Sequence, residues 1–305
     1  MDLSILIVNW NTKYYLKQCL DSIFRSVDGI TFEVIVVDNN SSDGSAEMVN
    51  LEFKQVTLVK NSTNFGFNKA NNQAILLAKG TYVLILNPDT IVMENALSRM
   101  VRFMRDNQDS AALGCRILNQ DGSIHKYFRK IPVLGKEILR LILPERFTLD
   151  EAKTEDRDYE HVHEINVLSG CCMMIRKRVF EIIGMLDERF FMYGDDVDLS
   201  YQITRNKMNI FYIPDASIMH FMKGSSRQCK ADMSVEAFKS MSKLLNKLYG
   251  NPQRVIYECC AVVISALKVV YYRLISFIQR DVSAVSERIE GHRGIIRYCI
   301  FGDKR

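Results

Sequence analysis

Residues 82–92 read YVLILNPDTIV, an apolar run that stops at Asn87, Pro88 and Asp89. A short continuous apolar run bounded by turn formers describes a strand buried on both faces, and such strands belong to largely parallel sheets. Turns accept Asp and Pro for backbone reasons alone, so Asp89 takes its meaning from what surrounds it. Upstream, LSILIVNW (3–10) reads as a first strand. TKYYLKQCLDSIF (12–24) follows, with Leu16, Cys19, Leu20, Ile23 and Phe24 on one helical face and Thr12 placed to cap it. FEVIVVDNN (32–40) is a second strand, GSAEMVNLEF (44–53) a short helix and VTLVKN (56–61) a third strand. FNKANNQAILLAK (67–79) is a helix closed by Gly80, which leads into the run at 82. The order βαβαβαβ predicts an α/β fold: a mostly parallel central sheet with helices on both faces.

Open sheets of this kind bind ligands outside the carboxyl ends of their strands. Here every strand ends in polar residues: Asn9 and Asn11, then Asp38 to Asn40, then Asn61 to Asn64, then Asn87 and Asp89. Asp89 therefore falls where such a sheet presents its ligand groups. No GxGxxG follows the first strand and no GxxxxGK[ST] occurs, which argues against a dinucleotide oxidoreductase and a P-loop ATPase. Without a glycine-rich cradle a bound diphosphate needs a cation or side chains to balance its charge. A carboxylate such as Asp89 is the hard oxygen ligand that Mg2+ or Mn2+ takes.

At 305 residues and 48% hydrophobic content, the chain can form one large domain, or a domain with an appendage. A net charge of +4 is too small to suggest a nucleic-acid partner. It is unevenly spread: from Val235 onward twelve Lys/Arg face six Asp/Glu, so +6 lies in the tail and −2 before it. Eight cysteines include the adjacent pairs Cys171-Cys172 and Cys259-Cys260 and no CxxC, a pattern of reduced, mostly buried thiols. The start MDLSILIVNWN lacks the basic region of a signal peptide and reads as a buried strand. A cytoplasmic location is expected.

Six motifs occur in order: VNWN (8–11), VVDNNSSDGS (36–45), NFGFNKANN (64–72), LNPDT (86–90), LSGCCMMIRKRVF (168–180) and LDERFFMYGDDVDLSYQ (186–202). Together, over roughly residues 3 to 225, they resemble the inverting family 2 glycosyltransferases with a GT-A fold, most closely the bacterial rhamnosyltransferase branch. The resemblance implies a GT-A domain over 1–230 and a C-terminal helical extension over 231–305. It implies transfer of a sugar, L-rhamnose from dTDP-rhamnose in the first instance, to a polysaccharide or lipid-linked oligosaccharide. A UDP-hexose or UDP-galactofuranose donor is the alternative within the fold, and a non-catalytic sugar-nucleotide-binding partner the alternative outside it.

Residue by residue, Asn9 and Asp38 match the family's pocket for the nucleotide base and ribose. Asn64, Lys69 and Asn72 match the loop and helix that line the nucleotide sugar. Asn87-Pro88-Asp89 matches the variant of the DxD motif in which Asn replaces the first Asp and the last Asp binds Mg2+ or Mn2+, with His220 as a further ligand. The acidic pair Asp195 and Asp196 would supply the base that inverting transfer needs, with Asp196 as that base. Close carboxylates raise one another's pKa. The family usually carries Glu at the first position, and Asp195 is one methylene shorter. Both aspartates also suit the N-terminus of the helix they begin.

Residues 119–163, rich in charge and poor in pattern, read as an insertion or acceptor loop. In the tail, the longest uncharged run, Cys259 to Leu267, is nine residues. That is short of the roughly 20 needed to cross a bilayer, so no span is expected. On a helical wheel Val263, Leu267, Val270, Leu274, Phe277 and Ile278 share one face. With its basic flanks, that helix suits either the inner membrane surface, with the protein peripheral, or a homodimer contact.

Overall fold

The computed structural model describes residues 1–26, 28–143, 158–222, 230–276 and 282–303, which fall into two compact units. The first holds a nine-stranded sheet. Its strands are β1 (Leu3–Asn9), β2 (Phe32–Asp38), β3 (Thr57–Lys60), β4 (Tyr82–Leu86), β5 (Thr90–Val92), β6 (Ser110–Leu118), β7 (His163–Glu164), β8 (Cys172–Arg176) and β9 (Asn209–His220). They run in the order β3-β2-β1-β4-β8-β6-β9-β5, with β7 beside β9. The first four are mutually parallel, and β6 and β9 are parallel to one another; β8, β5 and β7 run against their neighbours. The carboxyl ends of β1, β2, β3, β4, β6 and β9 thus share one rim, as expected for a mostly parallel sheet.

The continuous apolar runs are central strands. All five residues of β4 are buried, and Leu3, Ile5, Leu6 and Ile7 of β1 are buried beside them. α1 (Lys13–Ser26), α2 (Ser45–Glu52), α3 (Phe67–Leu77) and α4 (Ala96–Asp106) follow their strands. The predicted face of α1 packs inward through Leu16, Cys19, Leu20 and Ile23. Its capping differs from the expectation. The Thr12 hydroxyl donates to Asn9 Oδ1 at 2.6 Å, and the Lys13 N–H is taken by Asp43 Oδ2 at 2.8 Å. A carboxylate from the next loop therefore meets the positive end of the helix.

The stretch 119–163 is anchored at its described ends. Tyr127 and Phe128 are buried, and Phe128 stacks on Tyr159 with ring centroids 4.4 Å apart and meets Tyr212 edge-on. Residues 144–157 lie outside the described residues. In β9, Cys115↔Ile213 and Arg116↔Ser217 bracket three extra residues, 214–216. Pro214, which has no N–H to give the ladder, sits in this bulge.

The second unit contains α5 (Leu134–Ile142), α8 (Lys230–Tyr249), α9 (Asn251–Ile275) and α10 (Val282–Phe301), with α6 (Arg178–Ile183) and α7 (Asp195–Arg205) belonging to the first. Phe238, Leu245, Tyr257, Ala261 and Ile295 form its core, and Leu134, Ile138 and Leu141 pack against them. Gly250, at φ 92°, and Pro252 in the first turn of α9 separate two helices that would otherwise be continuous. The reading of this tail as too short in apolar length is corrected here. α9 is 25 residues long and contains an 18-residue stretch of mean hydropathy 1.7, so length and composition do suit a membrane-crossing helix. Glu258 and Lys268 break the uncharged run, yet the average over a span stays high in spite of them. Phe277 and Ile278 of the predicted face lie outside the described residues.

Candidate active site

The rim begins with a linked set of short polar side chains. Asn9, fully buried at the end of β1, donates from Nδ2 to Asp38 Oδ1 at 2.8 Å and to Ser41 Oγ at 3.0 Å. Asp38 Oδ2 accepts the Ser41 N–H at 3.0 Å, and Asn11, held at φ 52°, accepts the Ser42 N–H at 2.8 Å. The β1 and β2 ends are adjacent because Asn9 pairs with Asp38 in the parallel ladder. The loop 38–45 is thereby locked against 9–13. Such a rigid, acceptor-rich floor suits a nucleobase and ribose.

The asparagines of NFGFNKANN act mainly on the protein itself. Asn64 Oδ1 accepts the Gly66 N–H at 2.9 Å, and Asn68 Nδ2 donates to the Asp187 carbonyl at 2.9 Å. Asn72 is buried; its Nδ2 donates to Leu186 O at 2.8 Å and Glu188 Oε1 at 3.0 Å, while its Oδ1 accepts the Leu186 N–H at 3.0 Å. Lys69 is exposed, with Nζ 4.6 Å from the Phe65 ring centroid. Asn72 and Asn68 thus clamp the segment that leads to the acidic pair, and Phe190 of that segment is buried.

Gly66 completes the clamp. Its φ is +84°, and a Cβ there would lie 2.6 Å from the Phe191 carbonyl oxygen, which already accepts the Phe67 N–H at 2.7 Å. Gly66→Ala must therefore push the two segments apart. It is expected to cost on the order of 1–3 kcal/mol of stability and to lower turnover about tenfold, since small misplacements near a reacting centre have large rate effects. A variant with unchanged Tm and kcat would show that the close approach is dispensable.

Asp89 and His220 meet at the rim through strand pairing. Thr90 stands opposite His220 in the β5–β9 ladder, the Phe221 N–H donates to the Asp89 carbonyl at 3.0 Å, and Asp89 Oδ1 lies 3.1 Å from His220 Nε2. Asp89 is 5% exposed. Burial opposes charge on His220, but the Cys171 sulfur and the Asp89 carboxylate outweigh it and raise the imidazole pKa to about 10. Among the described residues no three His, Cys, Asp or Glu converge as a closed metal cluster. One carboxylate and one imidazole fit a cation that keeps several waters and takes its remaining ligands from a substrate diphosphate, which is how Mg2+ and Mn2+ bind beside phosphates. Asn87 holds the other end of this turn: its N–H donates to the Cys171 carbonyl at 3.0 Å and its carbonyl accepts the Thr90 hydroxyl at 2.8 Å.

The acidic pair opens α7. Tyr193 and Gly194, at φ 69° and 77°, turn the chain immediately before it. Asp195 and Asp196 are each 8% exposed. Asp196 Oδ1 accepts the Val197 N–H at 2.9 Å, and its Oδ2 lies 3.5 Å from Arg129 Nη1. Burial first, and then the charge of Asp196, push the Asp195 carboxyl up to about 7. The raised group is thus the first aspartate, while the second faces a guanidinium. Gly170 lies against both; a Cβ there would be 3.4 Å from Asp195 Oδ2 and 3.7 Å from Asp196 Oδ2. The turn 169–172 therefore touches the acidic pair through Gly170 and the Asp89–His220 side through Cys171.

Sequence reasoning missed Arg129 and the part played by Cys171. Arg129 sits in a stretch without periodicity, and no local signal pairs it with a carboxylate at 196. Gly224, Ser225 and Ser226 of the His220 motif lie outside the described residues. A cavity of about 270 Å³ bordered by Ser110, Arg176, Arg178 and Asn209 opens at the opposite rim, away from these groups.

A mostly parallel sheet with Asp89 and His220 at one strand-end turn, and the buried Asp195 and Asp196 beyond the turn 169–172, has the GT-A fold of glycosyltransferases. The chain belongs to glycosyl transferase family 2, whose sequence pattern matches residues 4–184. It is similar to the N-acetylglucosaminyl-diphospho-decaprenol L-rhamnosyltransferase of Mycobacterium tuberculosis, 25% identical over 232 residues that make up 72% of this chain and 75% of that protein. The low-salt glycan biosynthesis hexosyltransferase Agl10 of Haloferax volcanii is 26% identical over 277 residues, 88% of this chain and 84% of its own. Among solved structures, the mannosyltransferase PcManGT of Pyrobaculum calidifontis, in complex with GDP-Man and Mn2+, superposes with a TM-score of 0.58 at 13% identity, covering 99% of this chain and 88% of that one. That likeness is one of fold.

Proposed function

We propose that the protein is an inverting, divalent-cation-dependent glycosyltransferase that moves L-rhamnose from dTDP-rhamnose to a polysaccharide or lipid-linked oligosaccharide. The observation that carries this reading is the turn 169–172, which contacts the Asp89–His220 pair on one side and the Asp195–Asp196 pair on the other. A leaving-group site and a base site on either side of one short turn are what displacement at a sugar carbon requires.

Asn9 and Asp38 bind and orient the nucleoside. Asp89 and His220 would hold Mg2+ or Mn2+, which when bound neutralises charge gathering on the departing diphosphate. Asp196, beside Arg129, takes the proton of the acceptor hydroxyl as its oxygen bonds to the sugar C1; the C1–O bond to the diphosphate breaks on the opposite face, and the configuration inverts. Asp195 sets the basicity of the pair. The name of the mycobacterial relative supports rhamnose as the sugar. The haloarchaeal relative, a hexosyltransferase matched over more of the chain, supports a hexose as the sugar, and a UDP-hexose or UDP-galactofuranose donor is the second reading.

Thermal shift against a panel of dTDP- and UDP-sugars, with and without Mn2+, tests this directly. The expected result is a rise in Tm that needs both dTDP-rhamnose and the cation, with an inverted anomeric product on turnover. Stabilisation by a UDP-sugar alone would move the donor to the second reading. Binding without turnover for any donor and acceptor tried would make the chain a non-catalytic sugar-nucleotide-binding partner.

A further inference from the structure

The second unit presents a feature that the transfer reaction does not use. Along α9, Ile256, Val263, Leu267, Val270, Tyr271 and Leu274 are each between 49% and 66% exposed. At 100° per residue they fall on one side of the helix, and no charged residue interrupts them. The opposite side is packed: Tyr257, Ala261 and Ser265 are buried, and Glu258 accepts from the Ser242 hydroxyl and lies 3.4 Å from Arg254. Scattered exposed apolar residues are ordinary on a soluble surface, but a continuous stripe marks a contact.

We propose that this stripe is a docking surface for an anionic lipid bilayer, with α9 lying flat in the headgroup region while its inner side stays in the helical unit. Charge favours this partner. The chain from Val235 onward carries twelve basic residues against six acidic ones, and Arg273, beside the stripe, is exposed, as are Arg288, Arg293 and Arg297 of α10. An apolar stripe on a segment of net positive charge has two independent attractions to an anionic interface. Crossing the bilayer is disfavoured, because it would strip Tyr257 and Ala261 from the core they form with Phe238, Leu245 and Ile295. A second copy is disfavoured by area. From 255 to 274 the stripe is ~28 Å long and ~10 Å wide, so about 300 Å², against roughly 800 Å² per partner for a stable interface. The inference stands on the helical unit alone and does not depend on the donor or acceptor.

The test is flotation of the full-length chain with vesicles of phosphatidylcholine, with and without phosphatidylglycerol, at low and high salt. Binding is expected to the anionic vesicles and to fall about tenfold or more at high salt or in pure phosphatidylcholine. Val263→Glu with Leu267→Glu, both at exposed positions, should lower binding about tenfold or more with helix content and donor-induced Tm shift unchanged. Arg273→Glu should lower it less. Absence of binding to anionic vesicles, or full binding by the double variant, overturns the proposal. Retention of the wild-type chain on vesicles through high salt and alkaline washing also overturns it, in favour of a spanning helix. A wild-type dimer that the double variant breaks, with no vesicle binding by either, overturns it in favour of a contact between copies.

Discussion

Asp196→Asn is expected to lower kcat by roughly 10²-fold or more while the nucleotide sugar still binds, because the change keeps the side chain's size and removes its ability to accept a proton. Asp195→Asn should act differently. Asp195 is the group raised to about 7, so turnover of the unmodified protein should climb as pH rises through about 7 and the pair gives up its second proton. With Asn at 195 the raised group is removed, and that limb of the profile should be lost. Stability should follow the same group with the opposite sign. A carboxyl whose folded pKa lies above its unfolded value binds its proton more tightly when folded, so its contribution is present at low pH and lost as pH rises through about 7. Asp195→Asn should therefore have a higher Tm than the parent above about pH 8, and nearly the same Tm below about pH 4. If Asp195→Asn proves more damaging to kcat than Asp196→Asn, the two roles are exchanged.

Asp89→Ala should abolish cation-dependent stabilisation by the nucleotide diphosphate and lower turnover by roughly 10²-fold or more, since charge neutralisation on a leaving group supplies several kcal/mol. His220→Ala should weaken cation affinity, by about tenfold or more. Asp89 holds the imidazole pKa above its ordinary value, and proton and cation compete for the same nitrogen. Cation binding should release a proton, visible as a calorimetric heat that varies with the buffer's ionisation enthalpy, and affinity should rise with pH. Both signatures should vanish in His220→Ala. Full turnover in excess chelator would end the metal assignment.

The sheet and its rim were legible in sequence because their signals are local. Runs such as FEVIVVDNN carry strand length, burial and the polar end within nine residues, and α1 shows its inward face by spacing alone. What escaped was the pairing of groups distant in the chain. Asn72 looks from sequence like a sugar ligand, and only the fold shows its amide holding Leu186 and Glu188. Arg129 beside Asp196 and Asp43 at the start of α1 are tertiary contacts with no periodic signal. The tail showed the converse. The wheel placed Val263, Leu267, Val270 and Leu274 on one face, and these four are exposed, yet counting the longest uncharged run understated how apolar the whole helix is.

Asp89 and His220 are 131 residues apart in the chain and neighbours only because one strand lies in fixed register beside another. A side chain in a strand has two positions, one face or the other, and a slip of one residue exchanges them. The ladder therefore acts as a ruler: it sets the ion pair without reference to how much chain runs between the two ligands. The whole stretch 119–163 lies in that interval, so a change in its length outside the anchored Tyr127, Phe128, Arg129 and Tyr159 would leave the register of both ligands unchanged.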